Sequence, residues 1–455
     1  MAIEMTSPKF KVAICGGGVG GLTLAVALSK YPDIQVEVFE AAKSFTELGA
    51  GIGLWPRAFK VLQKLGAGVE QGLISKALGY KWTEEFGKSI WFPSMTFRTA
   101  DKPDGVELFQ LMTKGDLMKL HRADFHGVLI SQLPHSYKTH HSKRLVSYAQ
   151  PQPPAISPIT LIFTDGTTSS CDVLIGADGV KSAVRGSMMR GIAQTLTGEA
   201  AAAVLSCAEP IWSGATMYRT LIAAEQLRAS QPNHRALREP TVFLGQASSI
   251  ITYPISDGKY VNFAGSSMCA DLVSTIYEAD TSGRRRFEGP WVDELTKEEF
   301  CKPFQDFKDD VKLLLECVDK GTLWAVHTVK ELPTHSYGRV ALLGDAAHAM
   351  LPFQGSGAGQ SVEDAYFLAT VLGHPSTTLE TVPRALAVYD KLRRPFSSAV
   401  ALGSKLNGEL FMLQSDVPLT ERAEAVTKNW EWAWLSELDE SLEEAVRILD
   451  SASAS

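Results

Sequence analysis

An α/β fold is predicted by three features of this sequence. A short apolar run, residues 11–15, leads straight into Gly16-Gly17-Gly18-Val19-Gly20-Gly21 and then a helical pattern over about residues 22–29. Far along the chain a second apolar run, 340–343, stops at Gly344-Asp345 and gives way to Pro352-Phe353-Gln354-Gly355-Ser356-Gly357-Ala358-Gly359 and a helix to about Leu372. Between them lies a block of short β-prone runs. Together they predict a Rossmann-like domain built from residues 1–185 and 331–375, an inserted, mostly antiparallel sheet over 186–330 and a C-terminal helical region over 376–455.

A chain of 455 residues is long enough for two closely joined domains and a large core. Its net charge of −7 argues against nonspecific binding to nucleic acid or to an anionic membrane. The six cysteines (Cys15, Cys171, Cys207, Cys269, Cys301, Cys317) are scattered without a CxxC pair, as in a reduced intracellular protein with no structural zinc. The histidines show no ligand spacing, so no metal is expected. The N-terminus, MAIEMTSPKF, has no apolar segment and no run reaches membrane-spanning length. A cytoplasmic monomer or homodimer is the expectation.

The run at 11–15, the glycine turn, the helix and a second strand at 35–39 form a βαβ start. Its glycines are spaced GxGxxG: Gly16 for the tight turn, Gly18 for the approach of a pyrophosphate, Gly21 for close helix–strand packing. Glu40, at the end of the second strand, can accept from a ribose diol and would repel a 2′-phosphate, so FAD or NAD fits better than NADP. A second glycine-rich turn, residues 49–54, feeds a helix from about Pro56. It is either cofactor wall or a plain strand-to-helix turn. Residues 106–118 carry a mixed pattern that assigns nothing. His121-Arg122-Ala123-Asp124 opens a helix to about Leu133, where Arg122 either neutralises a pyrophosphate or is a surface charge.

Residues 151–158 are a proline-rich connection. A hairpin follows, 159–163 and 169–172 about Asp165-Gly166, and then a buried parallel strand at 173–177. That strand stops at Asp178-Gly179-Val180-Lys181-Ser182, at the carboxyl end where open α/β sheets bind ligands. Beyond residue 186 come β-prone runs at 202–206, 216–222, 241–244, 250–253 and 260–264, with a turn at Asp257-Gly258. Tyr218, Arg219 and Tyr253 put polar tips on these runs. A helix is predicted over 298–318 and a strand over 323–327, ending at His327. Gly355, Gly357 and Gly359 precede a helix at alternate positions, leaving backbone N–H groups open to a negative group. The two glycine motifs are read as gripping opposite ends of one long cofactor. A helical arm spans about 379–410, and Trp430, Trp432 and Trp434 are read as anchoring a tail.

Taken together, Gly16–Gly21, Asp178-Gly179 and Gly344-Asp345 with its PxxGxG sequel resemble the single-component FAD-dependent aromatic hydroxylases, over most of the chain. FEAA (39–42), HRADF (121–125), CDVLIGADGVKSAVR (171–185), TLWAVH (322–327) and GDAAHAMLP (344–352) are most similar to the salicylate hydroxylase branch. The resemblance implies FAD as cofactor, NADH or NADPH as co-substrate, molecular oxygen, and a small phenolic acid hydroxylated through a flavin C4a-hydroperoxide. Salicylate-type decarboxylative hydroxylation to a catechol is the leading expectation. By the same resemblance Glu40 would bind the adenosine ribose, Arg122 the phosphate–ribityl region and Asp345 the ribityl hydroxyls. Pro352, Gly355, Gly357 and Ala358 would face the flavin, and Asp178 would serve both FAD and nicotinamide. His327 matches the family's catalytic base. Arg219 and Tyr253 look like the substrate-facing pair of related phenol-dearomatising enzymes.

The chain departs from the salicylate branch at Ser249, Ser256 and Phe353, which are neutral where carboxylate anchors would be expected. A 4-hydroxybenzoate 1-hydroxylase-type reaction and a dearomatising hydroxylation therefore stay open. An NAD-dependent dehydrogenase would not need the segment 344–359. A dinucleotide-binding sensor would not need an enclosed substrate sheet.

Overall fold

The computed structural model of the protein describes residues 8–45, 51–77, 80, 91–103, 105–151, 156–269, 287–413 and 415–451. The first seven residues, Gly49 and Ala50 of the second glycine turn, and 152–155 of the proline-rich connection lie outside them.

Unbroken apolar runs build a six-stranded sheet in the order Ser336–Tyr337, Val340–Leu342, Val173–Gly176, Phe10–Cys15, Ile34–Phe39, Lys138–His140. Its neighbours are parallel except for the Ser336–Tyr337 and Val340–Leu342 pair. Val12, Ile14, Val173 and Ile175 have no exposed surface, which is why these strands lack an apolar–polar alternation. The fingerprint helix, Val19–Leu28, is buried along its whole length. It packs on this sheet and on the helix that follows the second glycine loop, Gly357–Gly373. Gly20 sets how close the two helices come: a Cβ there would lie 2.5 Å from Leu343 Cδ1 and 2.9 Å from Ser361 Cβ.

An eight-stranded sheet runs Val292–Thr296, Lys320–Thr328, Ile211–Ala223, Tyr260–Met268, Ser248–Ile255, Thr241–Leu244, Trp91–Thr99, Glu107–Lys114. It is antiparallel apart from Thr241–Leu244 beside Trp91–Thr99. Its last two strands come from residues 91–114, ahead of the block from which the sheet was expected. Pro93 and two irregularities of register interrupt their alternation, so they carry no clean period of two. The boundary expected at residue 185 falls inside the helix Ala183–Ala193, whose Val184 and Met188 pack with Leu174 and Leu342 of the parallel sheet.

Two further expectations are corrected. Residues 202–206 are not a strand but the end of the helix Gly198–Leu205, where Ala200 to Ala203 supply strong helix propensity. Residues 298–318 are not one helix. They form Lys297–Cys301, a 3₁₀ turn Lys302–Phe304 and Asp309–Glu316, because Pro303 cannot continue an α-helical ladder.

The C-terminal region is fastened to the second glycine loop. Its long helix, Val382–Leu410, sends Tyr389 Oη to Leu342 O at 2.8 Å. Arg393, 1% exposed, donates to Glu363 (2.8 Å), Asp364 (3.0 Å) and Gln360 (2.7 Å). Arg57 reaches Glu363 from the other side at 3.0 Å. Asp364 meets His348 Nε2 at 2.6 Å and accepts Gly344 N–H at 3.0 Å. Although burial opposes it, His348 and Arg393 hold the Asp364 carboxyl well below the usual carboxylate range. Trp430 and Trp434 pack on Trp55, and Trp432 packs on Phe396. Among the described residues no helix is long and apolar enough to cross a membrane.

Arg393→Met leaves two buried carboxylates under-compensated. A loss of about 3–5 kcal/mol is expected, read as a lower urea midpoint at unchanged slope. An unmoved midpoint would show that this network fastens nothing.

Candidate active site

Sterics shape the first glycine turn. Gly16 has φ +114°, and a Cβ there would lie 2.1 Å from Ala177 O. A Cβ at Gly21 would lie 2.0 Å from Gly16 O. These two glycines form the turn, and Gly18 alone of the GxGxxG three lines the cavity above it. Gly18 caps the fingerprint helix with no side chain of a described residue on its free N–H groups and no acid in the first turn. That end keeps its capacity for a negative group.

The second loop repeats the arrangement. Gly355 has φ +59°, and Ser356 precedes the helix Gly357–Gly373 without capping it; again the first turn holds no acid. A Cβ at Gly355 would meet nothing within 4 Å, and one at Gly357 only Asp345 Oδ1 at 3.9 Å. The loop is braced from behind. Trp55 Nε1 donates to Gln354 O (2.8 Å), Gln354 Nε2 to Asn429 O (2.7 Å) and Ser404 Oγ to Leu351 O (2.6 Å).

Both helix starts open on one cavity of ≈ 510 Å³. Gly18, Arg122, Asp345, Pro352, Gly355, Gly357 and Ala358 all line it. So do Gly51 and Gly53, which makes the second glycine-rich turn cavity wall. Gly51 N–H donates to Asn262 Oδ1 at 2.9 Å, and a Cβ on Gly51 would lie 2.6 Å from Tyr253 Oη.

The eight-stranded sheet supplies the opposite wall. Its period of two places Met217 and Arg219, then Asn262, Ala264 and Ser266, then Ser249, Ile251 and Tyr253 on one face of three paired strands. Arg219 Nε has no hydrogen-bond partner among the described residues. Burial lowers the Arg219 pKa, Arg122 adds to that, and Tyr253 opposes it. Burial pushes the Tyr253 phenol up to about 12 against the pull of Arg219. An incompletely bonded guanidinium beside a neutral phenol is a site for an anion.

His327 lies near the end of the strand Lys320–Thr328. Its Nδ1–H donates to Ala325 O at 2.9 Å, which leaves the lone pair on Nε2. Burial lowers its pKa, the Ala325 carbonyl opposes, and Lys181 lowers it further. The imidazole is neutral at pH 7.

Two acids expected at the cofactor also accept from donors in their own loops, which leaves further lone pairs on each carboxylate. Glu40 Oε2 accepts from Gly17 N–H and Oε1 from Ala42 N–H, both at 2.7 Å, so it braces the first glycine loop. Asp178 accepts the N–H groups of Ala183 (2.8 Å) and Val184 (3.1 Å) and the Ser182 hydroxyl, capping its own helix. Gly179 and Val180 line the cavity. Ser256, at φ +51° in a hairpin turn, is not on the cavity wall, whereas Ser249 and Phe353 are. The sequence reading missed Trp55, Asn262 and Trp324 as lining residues and gave Trp430 only an anchoring role. Trp324 lies within the TLWAVH segment beside His327, but no local pattern marks Trp55, ahead of the helix from Pro56, or Asn262, on a separate strand. Among the described residues no cluster of His, Cys, Asp or Glu could hold a metal ion.

Residues 9–226 and 284–404 match a family model described as an FAD binding domain. The chain is 34% identical over 445 residues to a salicylate hydroxylase of Pseudomonas putida, covering 96% of this chain and 94% of that protein. The chain belongs to the FAD-dependent aromatic hydroxylases. An FAD-dependent monooxygenase of Strobilurus tenacellus is 33% identical over 455 residues, with 94% and 95% covered. A solved salicylate hydroxylase substrate complex superposes with a TM-score of 0.77 at 31% identity, covering 97% of this chain and 98% of that one.

FAD is the cofactor of this hydroxylase family, and the residues present fit it. Two uncapped helix starts without acids suit the pyrophosphate and an electron-rich ring edge. Arg122 adds a cation, Asp345 can accept from ribityl hydroxyls, and Gly355 and Gly357 leave bare backbone on the wall. In Gly357→Val a branched side chain enters that space. FAD affinity is expected to fall at least about tenfold, roughly 1.4 kcal/mol, read by flavin titration of the apoprotein. Wild-type affinity in that variant would refute the placement.

Proposed function

We propose that this hydroxylase uses NADH or NADPH and molecular oxygen to hydroxylate a small phenolic acid, with loss of carbon dioxide, to a catechol. The observation that carries the reading is the facing of two walls across one cavity. One is bare glycine backbone at two helix starts; the other holds Arg219, Tyr253 and a neutral His327. The similarity to salicylate hydroxylase supports the substrate class.

Bound FAD supplies reduction by a nicotinamide nucleotide and an electrophilic oxygen atom drawn from dioxygen. This chain's residues must supply an electron-rich ring and a dry site. A phenol titrates near ~10 and a histidine near ~6.5, so transfer to an isolated imidazole costs roughly 5 kcal/mol. Lowering the His327 pKa widens that gap. Arg219 therefore has to narrow it by pairing with the phenolate oxygen as the proton moves to His327 Nε2. Met217, Val242, Ile251 and Phe353 line the cavity with apolar surface and exclude water. Overall, one oxygen atom enters the ring as hydroxyl and the other leaves as water. The nicotinamide gives up two electrons, and departure of the carboxyl group as carbon dioxide restores aromaticity.

A second reading, hydroxylation without loss of carbon dioxide, is favoured by the neutral Ser249 and Phe353 on the wall. A panel of salicylate, 4-hydroxybenzoate and alkylated phenols decides between them, following NAD(P)H, product and carbon dioxide together. Catechol formed from salicylate with an equal amount of carbon dioxide supports the first reading, and a para-diol formed from 4-hydroxybenzoate with carbon dioxide replaces the ortho acid by the para one. Product without carbon dioxide selects the second, and NAD(P)H use that yields only peroxide removes both.

Arg219→Met is expected to lower kcat/KM roughly tenfold to a hundredfold, the worth of a hydrogen bond to a charged group. His327→Asn should lower kcat roughly a hundredfold or more and flatten the acid side of the pH–rate profile, where protonation of His327 otherwise stops catalysis. Unchanged turnover of His327→Asn at every pH would remove it from the reaction.

A further inference from the structure

His327 is held by a stack of side chains that the mechanism above does not use. The Trp291 indole lies against its imidazole, with ring centroids 3.4 Å apart and planes at 13°. Lys181 Nζ lies 3.9 Å from the centroid of the same indole. One face of an indole has no room for both groups at these distances, so the tryptophan separates the imidazole from the ammonium. His327 lines the cavity, whereas Trp291 and Lys181 do not. Trp291 is also tied through its backbone: its carbonyl accepts Ala325 N–H at 2.8 Å. The Ala325 carbonyl in turn accepts His327 Nδ1–H at 2.9 Å. The ring is thus fixed in its plane by one hydrogen bond and across its face by the indole, and Nε2 is the nitrogen left for a substrate.

We propose that Trp291 and Lys181 are positioning residues that clamp His327 in the orientation and neutral form in which Nε2 accepts a proton. This rests on the reading of His327 as proton acceptor. A cation behind the indole makes an imidazolium less favourable, and the indole shuts out water that would solvate that charge. Among the described residues the charged groups near the stack are these. Trp212 is the residue paired with His327 on the neighbouring strand, and Asp293 and Glu294 pair further along, with Leu323 and Thr322. Arg219 and Asp345 line the same cavity. After burial, Lys181 is the group that pushes the His327 pKa down, against the Ala325 carbonyl.

The test is the His327 titration in full-length, FAD-loaded protein with labelled histidine, assigned by its loss in His327→Asn, together with kinetics across pH. Lys181→Met should raise the His327 midpoint by on the order of half a pH unit and move the acid limb of kcat/KM upward by the same amount. Trp291→Ala should raise the midpoint further and lower kcat roughly tenfold with little change in KM, and Trp291→Phe should restore most of kcat. Should Trp291→Ala fail to fold, Lys181→Met and Trp291→Phe carry the test. A midpoint unmoved in Lys181→Met overturns the proposal, as does a kcat of Trp291→Phe no better than that of Trp291→Ala. A midpoint that moves while the acid limb stays still overturns instead the reading of His327 as proton acceptor.

Discussion

The structure depends on the contact between the fingerprint helix and the helix that follows the second glycine loop. Only a residue without a Cβ fits at Gly20, where Leu343 and Ser361 close in. That contact brings two helix N-termini, remote in sequence, to one cavity. Each carries backbone donors that no side chain among the described residues satisfies, and each directs the positive end of a helix dipole the same way. Aligned like that they repel one another modestly, which buried backing and negative charge or water in front offset.

The backing is ionic. Arg393 and Arg57 bracket Glu363 on the second helix, and Asp364 joins Arg393, His348 and the Gly344 N–H. Every member is buried, so each charge needs the others to be tolerated in place. In front, Arg122 and Arg219 reinforce the positive character of the site, and the one histidine on the wall is kept neutral. A cavity with this electrostatic balance suits an extended anionic cofactor and an anionic ring substrate together, while leaving a base that can still accept a proton.

Legibility in the sequence followed locality. Strands buried on both faces read as apolar runs, and the glycine spacings marked both loops before any contact was known. The strands at residues 91–114 were lost because Pro93 and exposed Trp91 break their alternation. The helix Gly198–Leu205 was misread because a short apolar run fits either period, and its alanines were the better guide. The motif Asp178-Gly179 was visible, but the division of labour within it was not: the acid caps a helix while its neighbours face the cavity.

The sequence by itself determined where the chain turns, which strands are buried and which two loops present bare backbone, since these follow from the absence of a side chain or the run of apolar ones. Tertiary structure alone decided which groups meet. Glu40 and Asp178 accept from nearby N–H groups because those donors lie within reach of a folded loop and a helix start. Trp430 came to the cavity wall, and Trp291 to the face of His327, across long stretches of chain. Such contacts depend on how separate sheets and helices stack, and no local pattern of residues encodes that distance.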